Sequence, residues 1–357
     1  MFYLSDVELN NFRCYDCFLS TFSSNINVIV GKNAIGKTSL IEGIYYLGLC
    51  KSFKTNDYNE LLKKDKDYLY VKGTLVDGEK EYKIVASMTD KGKKISVNNT
   101  IYRSLSDYLG FLNIICFSPE DLKLVKGEPK IKRRFLDINI GQKDKIYLKH
   151  VIDYNKVLKE RNELLKNDDI YPQFNDLLKV YTEKLATIGY EIIKRRREFL
   201  KDIEPFINKK IKEISSDDEE VEICYKPNVS EDDIKNELFK AIEVDKYAKT
   251  TTIGPHRDDV VLNINGYNAS IYGSQGQQRT IALAIKLGLA DYIKKDNDKL
   301  IIILDDVFGE LDNKRQIELL RSVMSENQVF ITTTSCDNID QSIINDCNVI
   351  KLEEKVI

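Results

Sequence analysis

No hydrophobic run in the 357 residues approaches the roughly 20 needed to cross a bilayer as a helix, so a membrane span is not expected. Histidine is scarce: His150 and His256 are the only two. The seven cysteines (Cys14, Cys17, Cys50, Cys116, Cys224, Cys336 and Cys347) are odd in number and follow no regular spacing. Cys14 and Cys17 form one C-x-x-C pair, but a zinc site needs two more ligands, so free thiols are the expectation. Such scatter suits a reducing compartment. The opening residues, Met1-Phe2-Tyr3-Leu4-Ser5-Asp6, lack a basic stretch followed by an apolar core. Secretion is therefore not expected, and a cytoplasmic location is. What remains is 42% hydrophobic and 31% charged with net charge −3, a composition for one large or two modest soluble domains.

Two short segments carry the chemistry. Gly31-Lys32-Asn33-Ala34-Ile35-Gly36-Lys37-Thr38 fits G-x-x-x-x-G-K-[ST], the phosphate-binding loop. Ile26 to Val30 before it reads as a strand, and Ser39 to Leu47 after it has helical apolar spacing. That arrangement aims backbone N–H groups and the positive end of a helix dipole at phosphates. Lys37 would neutralise the terminal phosphates of ATP, and Thr38 would offer its hydroxyl to Mg2+. Ser39 joins the loop as a nucleotide-binding candidate. The second segment, Leu300 to Asp306, is an aliphatic strand ending in two carboxylates. Asp305 is placed to hold Mg2+ and Asp306 to polarise the attacking water. Thr38 and Leu300 lie 262 positions apart, a separation that suits an ATPase coupled to a large movement.

Between these segments the chain changes character. Tyr68 to Val76 and Glu79 to Met88 read as a hairpin turning at Asp77-Gly78, and Lys94 to Asn98 as a third strand. Tyr147, Val151, Tyr154, Leu158 and Leu165 then recur at 3/4 spacing, with Arg161 in one apolar place. Leu177 to Phe199 resumes that spacing after an interruption at 167–172. The pattern predicts an antiparallel helical hairpin, each helix about 35–50 Å long. Residues 126–213 carry 22 Lys/Arg against 15 Asp/Glu, whereas 214–246 carry 4 against 11. Lys132-Arg133-Arg134 and Lys194-Arg195-Arg196-Arg197 are the densest basic clusters and candidates for phosphate contact, such as a DNA backbone would offer. Asp217-Asp218-Glu219-Glu220 reads as a solvated loop.

The whole chain resembles the RecF family of bacterial DNA repair proteins, within the ABC-type, SMC-like ATPases. Besides the two segments above, the resemblance rests on Asn11 to Tyr15, Lys51 to Thr55, Phe117 to Leu122 and Lys132 to Asp137. Thr252 to Asp259, Ser274 to Arg279, Gly309 to Asp312 and Thr332 to Thr334 complete the ordered set. It implies an α/β fold: an ABC-type head with a mixed sheet, plus an inserted, mainly helical lobe bearing a short antiparallel helical arm. Residues 1–125 and 295–357 would form lobe I. Residues 126–294 would form lobe II, with the arm at about 142–213 and a signature element at 272–279.

The resemblance also assigns roles. Ser274, with Gly276 and Gln277, matches the signature element that binds the γ-phosphate of ATP held by a second subunit. Asp312 matches a loop crossing the dimer interface, Thr332 to Thr334 the switch position, and Arg13 an arginine that approaches the nucleotide. Glu120 and Asp121 stand where ABC proteins carry a metal-sensing loop. In two places the sequence departs from the family: Ala34 stands at a usual glycine and Lys54 at a usual arginine. The implied function is an ATP-dependent DNA-binding homodimer of recombinational repair and replication-fork maintenance. It would hydrolyse ATP slowly, stimulated by DNA, and act with RecR and RecO to load recombinase at gaps and support the SOS response. An ABC transporter subunit would use the usual Leu-Ser-Gly-Gly-Gln spelling, absent here, and a structural SMC tether would need a far longer arm. A protein that holds ATP statically and only binds DNA is the third alternative.

Overall fold

The structure is a computed structural model describing residues 2–55, 57–167, 172–215, 219–295, 300–308, 313–324, 327–336 and 347–353. The chain divides into two compact units, Met1–Asp121 with Leu289–Ile357, and Leu122–Gly288. Both boundaries fall a few residues earlier than 125/126 and 294/295.

The first unit holds two sheets. Strands β1 (Phe2–Phe12), β2 (Tyr15–Thr21), β4 (Leu69–Asp77), β5 (Lys80–Thr89), β6 (Gly92–Val97) and β7 (Thr100–Ile101) form an antiparallel sheet in the order β2-β1-β4-β5-β6-β7. The β4–β5 hairpin turns at Asp77-Gly78, where Gly78 takes the positive φ such a turn requires. The other sheet is parallel. It combines β3 (Ile26–Val30), β8 (Asn113–Phe117), β12 (Leu300–Asp305), β13 (Gln328–Thr333) and β14 (Asn348–Lys351) in the order β14-β3-β13-β12-β8. Every residue of β8, β12 and β13 is buried, which accounts for their near-continuous apolar sequences. This order explains the divided site. β3 and β12 flank β13, so segments remote in sequence end side by side at the carboxyl edge of one sheet.

The helix Lys37–Leu49 is buried from Leu40 to Leu49, as its apolar character on all sides requires. Two glycines let it lie close to both sheets. A Cβ at Gly43 would come within 2.4 Å of Leu9 on β1, and one at Gly48 within 2.5 Å of Ile114 on β8. Gln328 on β13 joins the sheets directly, accepting from the Leu4 N–H and donating to the Leu4 carbonyl, both at 2.8 Å.

The second unit is mainly helical, with a small antiparallel sheet of β9 (Val221–Lys226), β10 (Asp259–Ile264) and β11 (Tyr267–Asn268). Helices Lys145–Lys166 and Phe174–Ile214 pack together as the arm. Asp144 caps the first by accepting from the Ile146 and Tyr147 N–H groups, each at 2.9 Å. The second has 41 residues, about 60 Å, longer than its spacing up to Phe199 predicts. It continues because Ile203, Ile207, Ile211 and Ile214 extend the buried stripe, while Pro205 lies on the exposed face, where water can serve the carbonyl left unpaired. Arg161, in its apolar place, is fully buried. It donates to Asp245 at 2.8 Å, Thr251 at 2.7 Å and Thr182 at 3.1 Å.

Candidate nucleotide site

The phosphate loop leaves β3 and enters the helix at Lys37, with Gly36 as its N-cap at φ +102°. No larger residue fits at 36: a Cβ would meet the Tyr15 hydroxyl at 2.7 Å. Ala34 is also left-handed, at φ +65°, so the family's usual glycine there has a backbone reason. Lys32, Asn33 and Ala34 are exposed, whereas Ile35 points inward and lends the loop only its backbone. The Lys37 ammonium donates to the Gly31 carbonyl at 2.6 Å and the Lys32 carbonyl at 2.9 Å, closing the loop on itself. Burial lowers its pKa, against the pull of Asp306 and Asp305.

Across the sheet edge, Thr38 Oγ1 donates to Asp305 Oδ1 at 3.1 Å. Thr332 lies directly opposite Asp305 in the β12–β13 register. Its hydroxyl donates to the same Oδ1 at 2.9 Å and accepts from the Asp306 N–H at 2.9 Å. Burial raises the Asp305 pKa, opposed by Thr332, Lys54 and Thr38. Asp306 takes φ +53°, a left-handed turn that carries it off the strand beside the loop. Asp305 lies buried behind Thr38 and Thr332, which border a cavity of about 330 Å³ with Asn33, Lys37, Ser39, Lys54 and Asp306. The electropositive loop fits polyphosphate, and the hard oxygens of Thr38 and Asp305 fit Mg2+, which keeps most of its water and takes few protein ligands.

Three contributors were not legible as such. Cys14 lines the same cavity. Glu42, almost fully buried on the phosphate-loop helix, grips Arg13 with both oxygens at 2.8 Å and also accepts from the Ser52 hydroxyl. Ser52 in turn accepts the Lys54 and Thr55 N–H groups at 2.9 Å, fixing the turn that presents Lys54 to the cavity. An acid inside an otherwise apolar helix face was the only sequence signal for this arrangement. Arg13 itself is held by Glu42 and the Glu60 carbonyl. Phe12 and Tyr15 are core residues.

Ser274, Gly276 and Gln277 build a second constellation in the other unit, at the start of helix Gln275–Lys294. Ser274 Oγ accepts the Gln277 N–H at 3.2 Å, and Gln277 Oε1 accepts the Ser274 N–H at 2.9 Å, the reciprocal bonds of a capping box. Asp312 and its neighbours at 309–311 lie outside the described residues.

The basic clusters require a correction. Successive residues on a helix point about 100° apart, so a run of four cannot share one face. Arg196 is only 4% exposed. It donates to Asp137 at 2.9 Å, Asp258 at 3.0 Å, the Tyr147 hydroxyl at 2.9 Å and the Pro255 carbonyl at 2.7 Å, which removes it from a DNA-facing patch. Arg195 pairs with Asp144 and Glu191, and Arg197 with Glu231. Lys132 donates to the Val260 carbonyl at 2.7 Å, and Arg133 to the Asp258 carbonyl. Arg134 is half-buried. Thr252 to Asp259 forms much of this polar interior. His256 bridges the Tyr154 hydroxyl at 2.9 Å and the Thr251 carbonyl at 3.1 Å, and burial lowers its pKa to about 4. All seven cysteines are free thiols, and no cluster among the described residues fits a metal ion held by His, Cys, Asp and Glu. Among the described residues, no helix is long and apolar enough to cross a membrane.

Fold and site together define an ABC-type, SMC-like ATPase head with a helical insertion. Residues 3–356 match the family model of the RecF/RecN/SMC N terminal domain. The DNA replication and repair protein RecF of Bacillus cereus (strain G9842) is 38% identical over 360 residues, covering 98% of this chain and 96% of that protein. RecF of Bacillus anthracis (strain CDC 684 / NRRL 3495) matches to the same extent. A solved structure of the recombination mediator protein RecF-ATPrS in the RecFOR pathway superposes with a TM-score of 0.88 at 35% identity, over 99% of this chain and 96% of that one. The Smc head domain from Pyrococcus furiosus superposes at 0.54 with 16% identity, over 100% of this chain and 95% of that one, a likeness of fold alone. The chain belongs to the RecF family of DNA replication and repair proteins.

Proposed function

We propose that this protein is a DNA-binding ATPase whose two constellations act in trans. Two chains meet around two ATP molecules, each held by the phosphate loop of one subunit and the signature element of the other. The observation that carries this reading is the pairing of a Lys37–Thr38–Asp305–Asp306–Thr332 cluster in one unit with an exposed Ser274 at a helix N-terminus in the other. The first holds phosphate and metal. The second is an anion site with no phosphate loop in its own unit.

Lys37 exchanges its loop carbonyls for phosphate oxygens, and the loop N–H groups cradle the rest. Thr38 and Asp305 would hold Mg2+, which would supply charge compensation to the phosphates. Asp306 orients the attacking water, with its backbone fixed by Thr332. Gly31 to Ser39 line the nucleotide, Arg13 approaches it from its bonds to Glu42 and the Glu60 carbonyl, and Asp312 crosses the interface. A family resemblance and neighbours named for ATP and the RecFOR pathway support DNA, RecO and RecR as partners, recombinase loading at gaps and slow DNA-stimulated turnover. Lys132, Arg133, Arg134, Arg195 and Arg197 remain the DNA-contact proposal. Phosphate affinity of that kind weakens steeply with salt.

Sedimentation velocity with and without ATP tests the reading. ATP is expected to convert monomer to dimer. A chain that stays monomeric while hydrolysing ATP at its full rate would refute action in trans.

A further inference from the structure

The acidic run at 217–220, read from sequence as solvated, is not wholly so. Glu219 is 5% exposed. Its Oε1 accepts from the Gln277 side-chain amide at 2.9 Å, and its Oε2 from the Ser215 hydroxyl at 2.8 Å. The backbone beside it is pinned. The Glu220 N–H donates to Asn265 Oδ1 and the Asn265 N–H to the Glu220 carbonyl, both at 3.0 Å. Val221 exchanges two bonds with the Asn208 amide on the long arm helix, at 2.7 and 2.8 Å. The carboxylate is therefore held in place from both sides.

We infer that Glu219 is a positioning residue for the signature element, acting on Ser274 through Gln277. This rests on the reading that Ser274 receives the partner subunit's ATP. The side-chain amide of Gln277 has two ends and can flip. Glu219 accepts only, so it takes the NH2 end and obliges Oε1 to face the Ser274 N–H. With that bond made, Gln277 returns its own N–H to Ser274 Oγ. The Ser274 oxygen thereby accepts one bond that fixes its orientation, and its hydroxyl hydrogen has no acceptor among the described residues. Ser274 is thus presented as a donor to an anion. In this arrangement both ends of the Gln277 side-chain amide are taken, by Ser274 and Glu219, so that it serves the phosphate through Ser274.

The cost of this arrangement is a carboxylate near a helix start that must also accept phosphate. The separate contributions of shape and charge are accessible by substitution. Glu219→Ala removes both the acceptor and the charge. Glu219→Gln keeps an oxygen for Gln277 and removes the charge. Gln277→Ala breaks the same link from the other end.

The test measures three quantities on the full chain: ATP affinity of dilute monomer, the ATP-dependent dimer constant, and hydrogen exchange at the Ser274 amide. Glu219→Ala is expected to weaken dimerisation about tenfold and to speed Ser274 exchange about tenfold, with monomer ATP affinity unchanged. Glu219→Gln is expected to restore both. Gln277→Ala should match Glu219→Ala, and the double variant should be no worse than either single one. The inference is overturned if Ser274 exchange stays at the wild-type rate in Glu219→Ala, or if the two alanine effects simply add. It is also overturned if monomer ATP affinity falls alongside dimerisation, the mark of general unfolding. Should wild type itself fail to dimerise with ATP, action in trans is lost, and Ser274 exchange still decides whether Glu219 sets the capping box.

Discussion

Thr332→Val is a near-isosteric change that deletes one hydroxyl from the centre of the site. That hydroxyl donates to Asp305 Oδ1 and accepts from the Asp306 N–H, both at 2.9 Å. A hydrogen bond to an ionised carboxylate contributes about 1.5–3 kcal/mol, and the neutral bond about 0.5–1 kcal/mol more, since Asp306 is exposed enough for water to replace part of it. The expected loss is about 2–4 kcal/mol. For a domain of 150–250 residues this lowers the melting temperature by roughly 5–15 °C. The pH dependence has a definite sign. Burial already raises the Asp305 pKa, so folding takes up a proton there between the ordinary carboxylate value and the raised one. The associated stability is present at the acid end and lost as pH rises through the raised value. Valine removes a restraint and raises the pKa further, so the variant's deficit is largest at neutral pH and shrinks as pH falls toward about 4. The chain has no tryptophan, so circular dichroism is the suitable probe of melting. Turnover is expected to fall at least about tenfold, because Asp306 loses the group that fixes its backbone. Wild-type melting and turnover at neutral pH would refute the assignment of Thr332 as the link between the two carboxylates.

Ala34→Gly should stabilise the loop, because the left-handed alanine costs about 1–2 kcal/mol and glycine's extra chain entropy returns about 0.5–1 of it. A rise of a few degrees in melting temperature is expected, and a fall contradicts the strain. His256, with its pKa lowered by burial to about 4, is neutral in the fold. Its contribution is complete above about 6.5 and fades as pH drops toward 4, by up to about 3 kcal/mol. His256→Gln, which offers a donor and an acceptor without titrating, should flatten the stability–pH curve over that range. A curve parallel to wild type in urea titrations would contradict it.

The site was legible where chemistry is local or where burial forces a pattern. The phosphate loop is contiguous, and Asp305 ends a strand whose aliphatic run reflects burial on both faces. The β4–β5 hairpin showed through its Asp77-Gly78 turn. What escaped is partner choice over long separations. Nothing in the sequence announces that Glu42 takes Arg13 from a hairpin 29 positions away, or that Glu219 takes Gln277 at 58. Arg196 was misread because a basic run looks uniform in sequence, whereas helix geometry turns one member into the interior. The arm's bounds were legible at about 142–213, but its second helix, at about 60 Å, exceeds the expected 35–50 Å because the buried stripe runs on beneath Pro205.

Mixing two inactive variants tests action in trans most directly. Lys37→Ala lacks a phosphate loop that holds ATP, and Ser274→Ala lacks a working signature element. A mixed dimer retains one complete site, made from the Lys37 of one chain and the Ser274 of the other. Titrating one variant into the other at fixed total protein is predicted to restore turnover, with a maximum near equal amounts. Two variants that stay inactive together, each folded and the second still binding ATP, would contradict the account.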